Sequence, residues 1–320
     1  MKEHKGADKF HSENHTVVTI GTFDGVHVGH QKIIERLVSA ARGGNLESVI
    51  LTFFPHPRMV LQKDADIKLI NTIDERKDIL EKSGIDHLVV HPFTRQFSRL
   101  SAREFVRDIL VQKLKAKKVI IGYDHRFGRN RTASISDMRA FGAEFGFEVE
   151  EITEQEIEEV AVSSTKIRKA LLEGRVEKAN RFLSYPFSLA GTVVKGRGLG
   201  KSFKFPTANL HVAEDYKLIP ANGVYVVRSF IEEVPVFGMM SIGTNPTVGG
   251  TQKTIETHFL DLELDLYGKF LTIELLTRIR DEKKFDSVDS LMLAMKQDEA
   301  FTRQYIRDNH DRSVVIHKDR

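Results

Sequence analysis

The chain predicts an α/β fold, a doubly wound parallel sheet, in its first half. A small β-barrel or sandwich closed by a terminal helix is expected in its second. Three observations carry this. Short β-branched runs alternate with helical patterns over residues 17–152, as expected of a parallel sheet covered by helices. Beyond Phe187 strand-like runs dominate, separated by glycine, proline and asparagine turns. And 320 residues suffice for two domains, each with its own core.

In the first half, strands are expected at 17–20, 48–54, 87–91, 118–123 and 147–152, and helices near 31–42, 74–83, 102–114 and 136–145. The first helix shows the criterion: Ile33, Ile34, Leu37, Val38 and Ala41 recur at spacings that share one face. Residues 1–15 are polar, lack the apolar stretch of a signal peptide, and read as a disordered tail. The mixed basic run at 113–118 reads as the solvated end of a helix before the next strand. In the second half, strands are expected at 190–194, 224–231, 236–242, 254–264 and 270–278. A last helix at 287–307 carries Val288, Leu291, Met295 and Phe301 at helical spacing. Ser184-Tyr185-Pro186-Phe187 marks the boundary, giving domains at 16–185 and 186–310 and a second tail at 311–320.

Composition narrows the function. With no cysteine the chain forms no disulfide and no thiolate metal site, which fits the cytoplasm. No apolar run reaches transmembrane length, so no membrane role is expected. The net charge is +3 and no long basic block is present, so no nucleic-acid partner is expected.

The chemistry begins at Gly21-Thr22-Phe23-Asp24-Gly25-Val26-His27-Val28-Gly29-His30, between the first strand and the first helix. Glycines let a ligand approach the backbone. A helix start offers unpaired N–H groups and partial positive charge to a phosphate, and imidazoles beside it can stabilise charge that grows during reaction. A zinc site is a poor alternative, since His27 and His30 have no evident third ligand nearby. Farther on, Val162-Ser163-Ser164-Thr165-Lys166-Ile167-Arg168 precedes a helix with Ile167, Leu171 and Leu172 on one side, closed by Gly174. Its hydroxyls can cap the helix; together with Lys166 and Arg168 they also make a phosphate cradle.

The first string resembles the H-x-G-H signature of nucleotidyltransferases, in the version found in bacterial FAD synthetases. Taken alone it leaves cytidylyltransferases and other adenylyltransferases open. The second string is similar to the I-S-S-T-x-I-R element of the same enzymes. The resemblance implies a nucleotidyltransferase domain joining FMN and ATP into FAD and pyrophosphate, with Mg²⁺ held mainly by phosphate oxygens. It implies that His27 and His30 stabilise the α-phosphate. Gly21, Phe23, Asp24 and Gly29, and Ser163, Ser164, Thr165 and Arg168, would hold the nucleotide. Thr52-Phe53-Phe54-Pro55-His56-Pro57 and Gly122-Tyr123-Asp124-His125-Arg126-Phe127-Gly128 match loops near flavin, implying contacts from Phe54, Pro55, His56, Pro57, Asp124 and Arg126. Phe often stands in the family where this chain has His125.

The second half resembles the riboflavin kinase module fused to such synthetases. Its marker is Phe205-Pro206-Thr207-Ala208-Asn209, with the Gly-rich loop Gly196-Arg197-Gly198-Leu199-Gly200-Lys201 before it. Ile242-Gly243-Thr244-Asn245-Pro246-Thr247, Ile255-Glu256-Thr257-His258 and Arg280-Asp281-Glu282-Lys283-Lys284-Phe285 continue the pattern. The resemblance implies a β-barrel kinase domain in which Thr207 and Asn209 hold the metal and Glu256 is the base toward the ribityl 5′-hydroxyl. It implies ATP contacts from Gly196, Gly200, Lys201 and Asn245, and flavin contacts from Arg280 and Phe285. The implied partners are riboflavin, FMN and ATP; weak self-association stays open. The family usually has Leu-Gly before the marker, where this chain has Phe203-Lys204. That departure keeps a second reading alive: an adenylyltransferase whose C-terminal domain only binds flavin or regulates.

Overall fold

The computed structural model describes residues 1–62, 67–123, 125–153, 162–196, 205–247 and 250–310. It divides into two compact units, Met1–Lys166 with Tyr216–Leu218, and Ile167–Asp215 with Ile219–Arg320. Gly200, Lys201, Lys204, Asp124 and the tail at 311–320 lie outside the described residues.

The first unit is built on a sheet of order β1-β4-β3-β2-β5-β6, with every pair parallel. Its strands are β1 (Lys2–His4), β2 (Thr16–Ile20), β3 (Glu47–Phe54), β4 (His87–Pro92), β5 (Ala116–Gly122) and β6 (Glu148–Ile152). Between them run α1 (Val28–Gly44), α2 (Pro57–Leu61), α3 (Ile73–Glu81), α4 (Ala102–Glu104, continued as a π-helix over Phe105–Lys113) and α5 (Ile135–Phe145). Alternate residues of the strands feed two cores. Val17, Ile50, Leu88 and Ile120 pack on Ile34, Leu37, Val38 and Ala41 of α1. Val18, Leu51, Val89 and Val119 pack on Val106, Ile109 and Leu110 of the π-helix and Met138 of α5. Both faces are covered, as a parallel sheet requires. From β2 the chain lays β3 and β4 to one side and β5 and β6 to the other, so the switch point lies between β2 and β5. Ligands of such sheets bind there, at the carboxyl ends of the strands.

The N-terminal segment corrects the expectation of a disordered tail. β1 pairs with β4 from Lys2↔His87 to His4↔Val89. Ala7 and Phe10 are buried, and the Phe10 ring lies 5.0 Å from that of His4 and 5.1 Å from that of His87. The Ala7 amide donates to His91 Nδ1 at 3.0 Å. Two apolar side chains in a polar segment anchor it, and polar average composition hid them.

The second unit is a closed antiparallel barrel of order β10-β11-β8-β7-β12-β9. Its strands are β7 (Ser188–Val194), β8 (Ala208–His211), β9 (Gly223–Ile231), β10 (Val234–Thr247), β11 (Gly250–Phe259) and β12 (Phe270–Arg280). Closure leaves no unpaired edge. Before it run α6 (Ser164–Leu172) and α7 (Val176–Leu183); after it runs α8 (Val288–His310). The division between the units falls within α6, after Lys166, and the rest of α6 and α7 are tied to the barrel. The Leu171 carbonyl accepts from the Ala221 amide at 3.0 Å, and Asn180 Nδ2 donates to the Leu275 carbonyl at 2.8 Å. Three expected apolar-face positions face solvent: Leu172 of α6, and Val288 and Phe301 of α8, whose buried line instead runs through Asp298 and Thr302.

Candidate functional site

β2 ends at Ile20, and the chain turns through residues 21–27 into α1. Phe23, Gly25 and Val26 all have positive φ, 48°, 88° and 34°. A left-handed valine is a genuine outlier, and such strain persists only where the surroundings hold it. His27 is the N-cap of α1: its Nδ1 accepts the His30 amide at 3.4 Å, which leaves the proton on Nε2. The His27 and His30 rings stack with centroids 3.7 Å apart and planes 14° from parallel. Phe23 is core, and its ring lies 5.0 Å from that of His30. Burial, then the charges of His27 and Arg76, holds the His30 imidazole well below the ordinary histidine pKa. Its Nδ1 is buried without a hydrogen-bond partner among the described residues. A neutral imidazole with an unused nitrogen thus stands at a helix start, where an anion is favoured.

Asp24 is buried and acts on the protein itself. Its Oδ1 accepts the amides of Ile70 at 3.0 Å and Asn71 at 3.3 Å, and its backbone carbonyl accepts Ser164 Oγ at 2.8 Å. Ser164 is thereby fastened to the His27 turn. Ser163 Oγ accepts the Lys166 amide at 3.3 Å, as a capping hydroxyl does. Thr165 is exposed at the first turn of α6, and Arg168 follows one turn along the same helix.

Two loops join the histidine turn. They leave the carboxyl ends of β3 and β5, the strands on either side of β2. In the first, the Phe54 ring lies 5.3 Å from Tyr216, Phe54–Pro55 is a cis peptide bond, and His56 caps α2 by accepting the Arg58 amide at 3.2 Å, with Pro57 opening the helix. In the second, the His125 amide donates to the Gly122 carbonyl at 3.0 Å and Arg126 is exposed. Gly128 has a φ of 72°, and a Cβ there would stand 2.9 Å from Ala102, which demands glycine.

Sequence reasoning missed Arg76, whose side chain is 1% exposed. Its Nη1 donates to the Thr22 carbonyl at 2.7 Å, and its Nη2 lies 3.8 Å from Asp24 Oδ1. Lys217 was missed too; its buried ammonium donates to the Ile70 carbonyl at 2.8 Å and pairs with Glu75. Arg76 reads in the sequence as one charge in an amphipathic helix. The available signal was the capping box of Thr72 and Glu75, which places Arg76 one turn into α3.

In the barrel, Asn209 of β8 and Glu256 of β11 are cross-strand partners, and Thr207 Oγ1 donates to Glu256 Oε2 at 3.2 Å. A Cβ on Gly196 would stand 2.2 Å from Asn209 Nδ2. The marker is pinned by Phe205, whose ring lies 5.0 Å from that of His258, and by His258 Nδ1, which donates to the Pro206 carbonyl at 2.9 Å. Arg280, expected at flavin, forms a fork with Asp298 of α8 at 2.9 and 2.7 Å and lies 5.5 Å over the Phe285 ring. Asn245 lies on β10 opposite Gln252. A missed cluster joins Asn222 to Thr244 Oγ1 at 2.7 Å and to Glu282 at 2.9 Å. Thr207, Asn209 and Glu256 present hard oxygen donors, which suit Mg²⁺. Among the described residues no group of three His, Cys, Asp or Glu could hold a metal alone, so phosphate oxygens would have to complete its shell.

Comparison with known proteins agrees with both halves. The family model for FAD synthetase matches residues 9–166, and that for riboflavin kinase matches residues 183–306. A bifunctional riboflavin kinase/FMN adenylyltransferase from Listeria monocytogenes is 37% identical over 90% of this chain and 92% of that one. The protein of the same name from Escherichia coli is 34% identical over the same shares. A solved structure from Streptococcus pneumoniae, described as a macrolide-efflux protein, superposes with a TM-score of 0.85 at 33% identity, covering 94% of this chain and 98% of that one. Among the described residues here, no helix is long and apolar enough to cross a membrane. With both domains present and the similarity running through nine-tenths of its length, the chain belongs to the bifunctional riboflavin kinase/FMN adenylyltransferase family.

Proposed function

We propose that this enzyme makes FMN from riboflavin and ATP in residues 186–310, and FAD from FMN and a second ATP in residues 16–185. For the second reaction the carrying observation is the His27–His30 stack at the start of α1, beside the switch point of the sheet. An FMN phosphate oxygen attacks the α-phosphorus of ATP, and the bond to pyrophosphate breaks. No protein nucleophile is needed, so catalysis is positioning and charge stabilisation. His27 donates from Nε2, neutral His30 donates from one ring nitrogen, and the first amides of α1 face the same anion. Ser163, Ser164, Thr165 and Arg168 hold the triphosphate, and Gly21, Phe23, Asp24 and Gly29 shape the turn that meets it. Phe54, Pro55, His56, Pro57, Asp124 and Arg126 hold the flavin end.

In the kinase half, Glu256 takes the proton of the ribityl 5′-hydroxyl as that oxygen attacks the γ-phosphorus and ADP leaves. Thr207 and Asn209 hold Mg²⁺, which when bound neutralises phosphate charge. Gly196, Gly200, Lys201 and Asn245 hold ATP, and Arg280 and Phe285 border the flavin. The contact of Thr207 with Glu256 supports an active kinase over a merely flavin-binding barrel. The absence of cysteine supports a cytoplasmic enzyme. Incubating the full chain with riboflavin, ATP and Mg²⁺ tests the reading: FMN should appear first and FAD after it. FAD formed only from supplied FMN would leave the adenylyltransferase alone.

A further inference from the structure

We propose that Arg76 is a positioning residue for adenylyl transfer: its buried guanidinium locks the turn that carries the His27–His30 stack, through the Thr22 carbonyl. This rests on the assignment of that stack to the α-phosphate. The Thr22 carbonyl receives two donors, Arg76 Nη1 at 2.7 Å and Thr52 Oγ1 at 3.2 Å. The peptide so fixed immediately precedes Phe23, the first of the left-handed residues that swing the chain into His27. A disfavoured backbone needs such anchors. Arg76 sits on α3, more than fifty residues along the chain from the turn, so it ties a separate element to it.

The second part is electrostatic. A guanidinium stays charged at every pH of interest, and burying it is costly unless it is paired. Its facing carboxylate, Asp24, is itself engaged by the amides of Ile70 and Asn71. Among the described residues the His27 and Phe23 rings lie against the His30 ring, and Arg76, with Asp24 3.8 Å from its Nη2, is the further charge that acts on it. Both charges named there oppose protonation of His30, as does its burial. The site therefore meets the triphosphate with a fixed cation that pH does not alter and with a histidine that donates without carrying charge.

The test uses the full chain and three variants: Arg76→Met, Arg76→Lys, and Asp24→Asn with Arg76→Met, which removes both buried charges if the single change fails to fold. Riboflavin phosphorylation serves as the check on the rest of the molecule. The His30 ring is followed by NMR against a His30→Gln reference. Arg76→Met, or the double variant in its place, should lower kcat for FAD synthesis from supplied FMN roughly 10²-fold, as displaced catalytic geometry does, and raise the His30 titration toward the ordinary histidine value. Arg76→Lys keeps the charge and loses the fork, so it should leave the titration near wild type and recover part of kcat. Unchanged kcat together with an unchanged His30 titration overturns the proposal, as does a loss of melting temperature with both intact. If His30→Ala makes FAD normally, the assignment of the stack fails instead. The titration of His30 in the Arg76 variants separates the two failures.

Discussion

Gly196 lies against Asn209 so closely that a Cβ on residue 196 would stand 2.2 Å from the Asn209 side-chain nitrogen. The Gly-rich segment and the Phe-Pro-Thr-Ala-Asn marker thus meet at one point, and Asn209 is the cross-strand partner of Glu256. Gly196→Ala should push Asn209 off its position and lower riboflavin phosphorylation by on the order of tenfold or more, with FAD synthesis from FMN unchanged. A normal kinase rate would mean that Asn209 tolerates displacement.

In the proposed mechanism His30→Ala removes one donor at the developing charge of the α-phosphate. FAD synthesis should fall by on the order of 10²-fold or more, while FMN formation in the barrel continues. Steady-state assays of the two half-reactions, with riboflavin or with FMN supplied, check this.

Glu256→Gln keeps size and the capacity to accept from Thr207, and removes the carboxylate proposed as the base. Riboflavin phosphorylation should drop by about 10²- to 10⁴-fold, with little change in melting temperature. A variant that phosphorylates riboflavin normally would make Glu256 an ordinary strand residue.

The titration of His30 sets a pH window for stability. Its folded pKa lies well below 6.5, held there first by burial and then by His27 and Arg76. As pH falls through about 6.5 the unfolded chain takes up a proton that the folded one refuses, so stability is full above that pH and declines below it. Melting of the wild type between about pH 8 and pH 5 should show this decline, and His30→Gln should weaken it. An identical pH dependence in both would show that other groups set the slope.

The N-terminal arm adds to the first unit. Phe10 is buried between His4 and His87, so Phe10→Ala should cost about 3 kcal/mol in urea unfolding of that unit. A loss of only a few tenths would place the arm outside the cooperative core.

What the sequence alone determined is what local spacing reports. Alternating runs announced the parallel sheet, and Val17 to Ile20 followed by the Ile33, Ile34, Leu37 spacing located β2 and α1, because a strand buried on both faces reads as a continuous apolar run and a surface helix buries one repeating face. The strings around His27, Ser164, Thr207 and Glu256 were legible because each is a run of neighbouring residues on one turn or strand. The rest was decided by partners far apart in sequence. Arg76 reaches Thr22, Asp24 holds Ile70, and Gly196 meets Asn209, and no spacing rule encodes those contacts. Likewise Phe10 made a strand-bearing arm of an apparently polar tail, because burial depends on which surface a side chain meets and not on the average polarity of its neighbours.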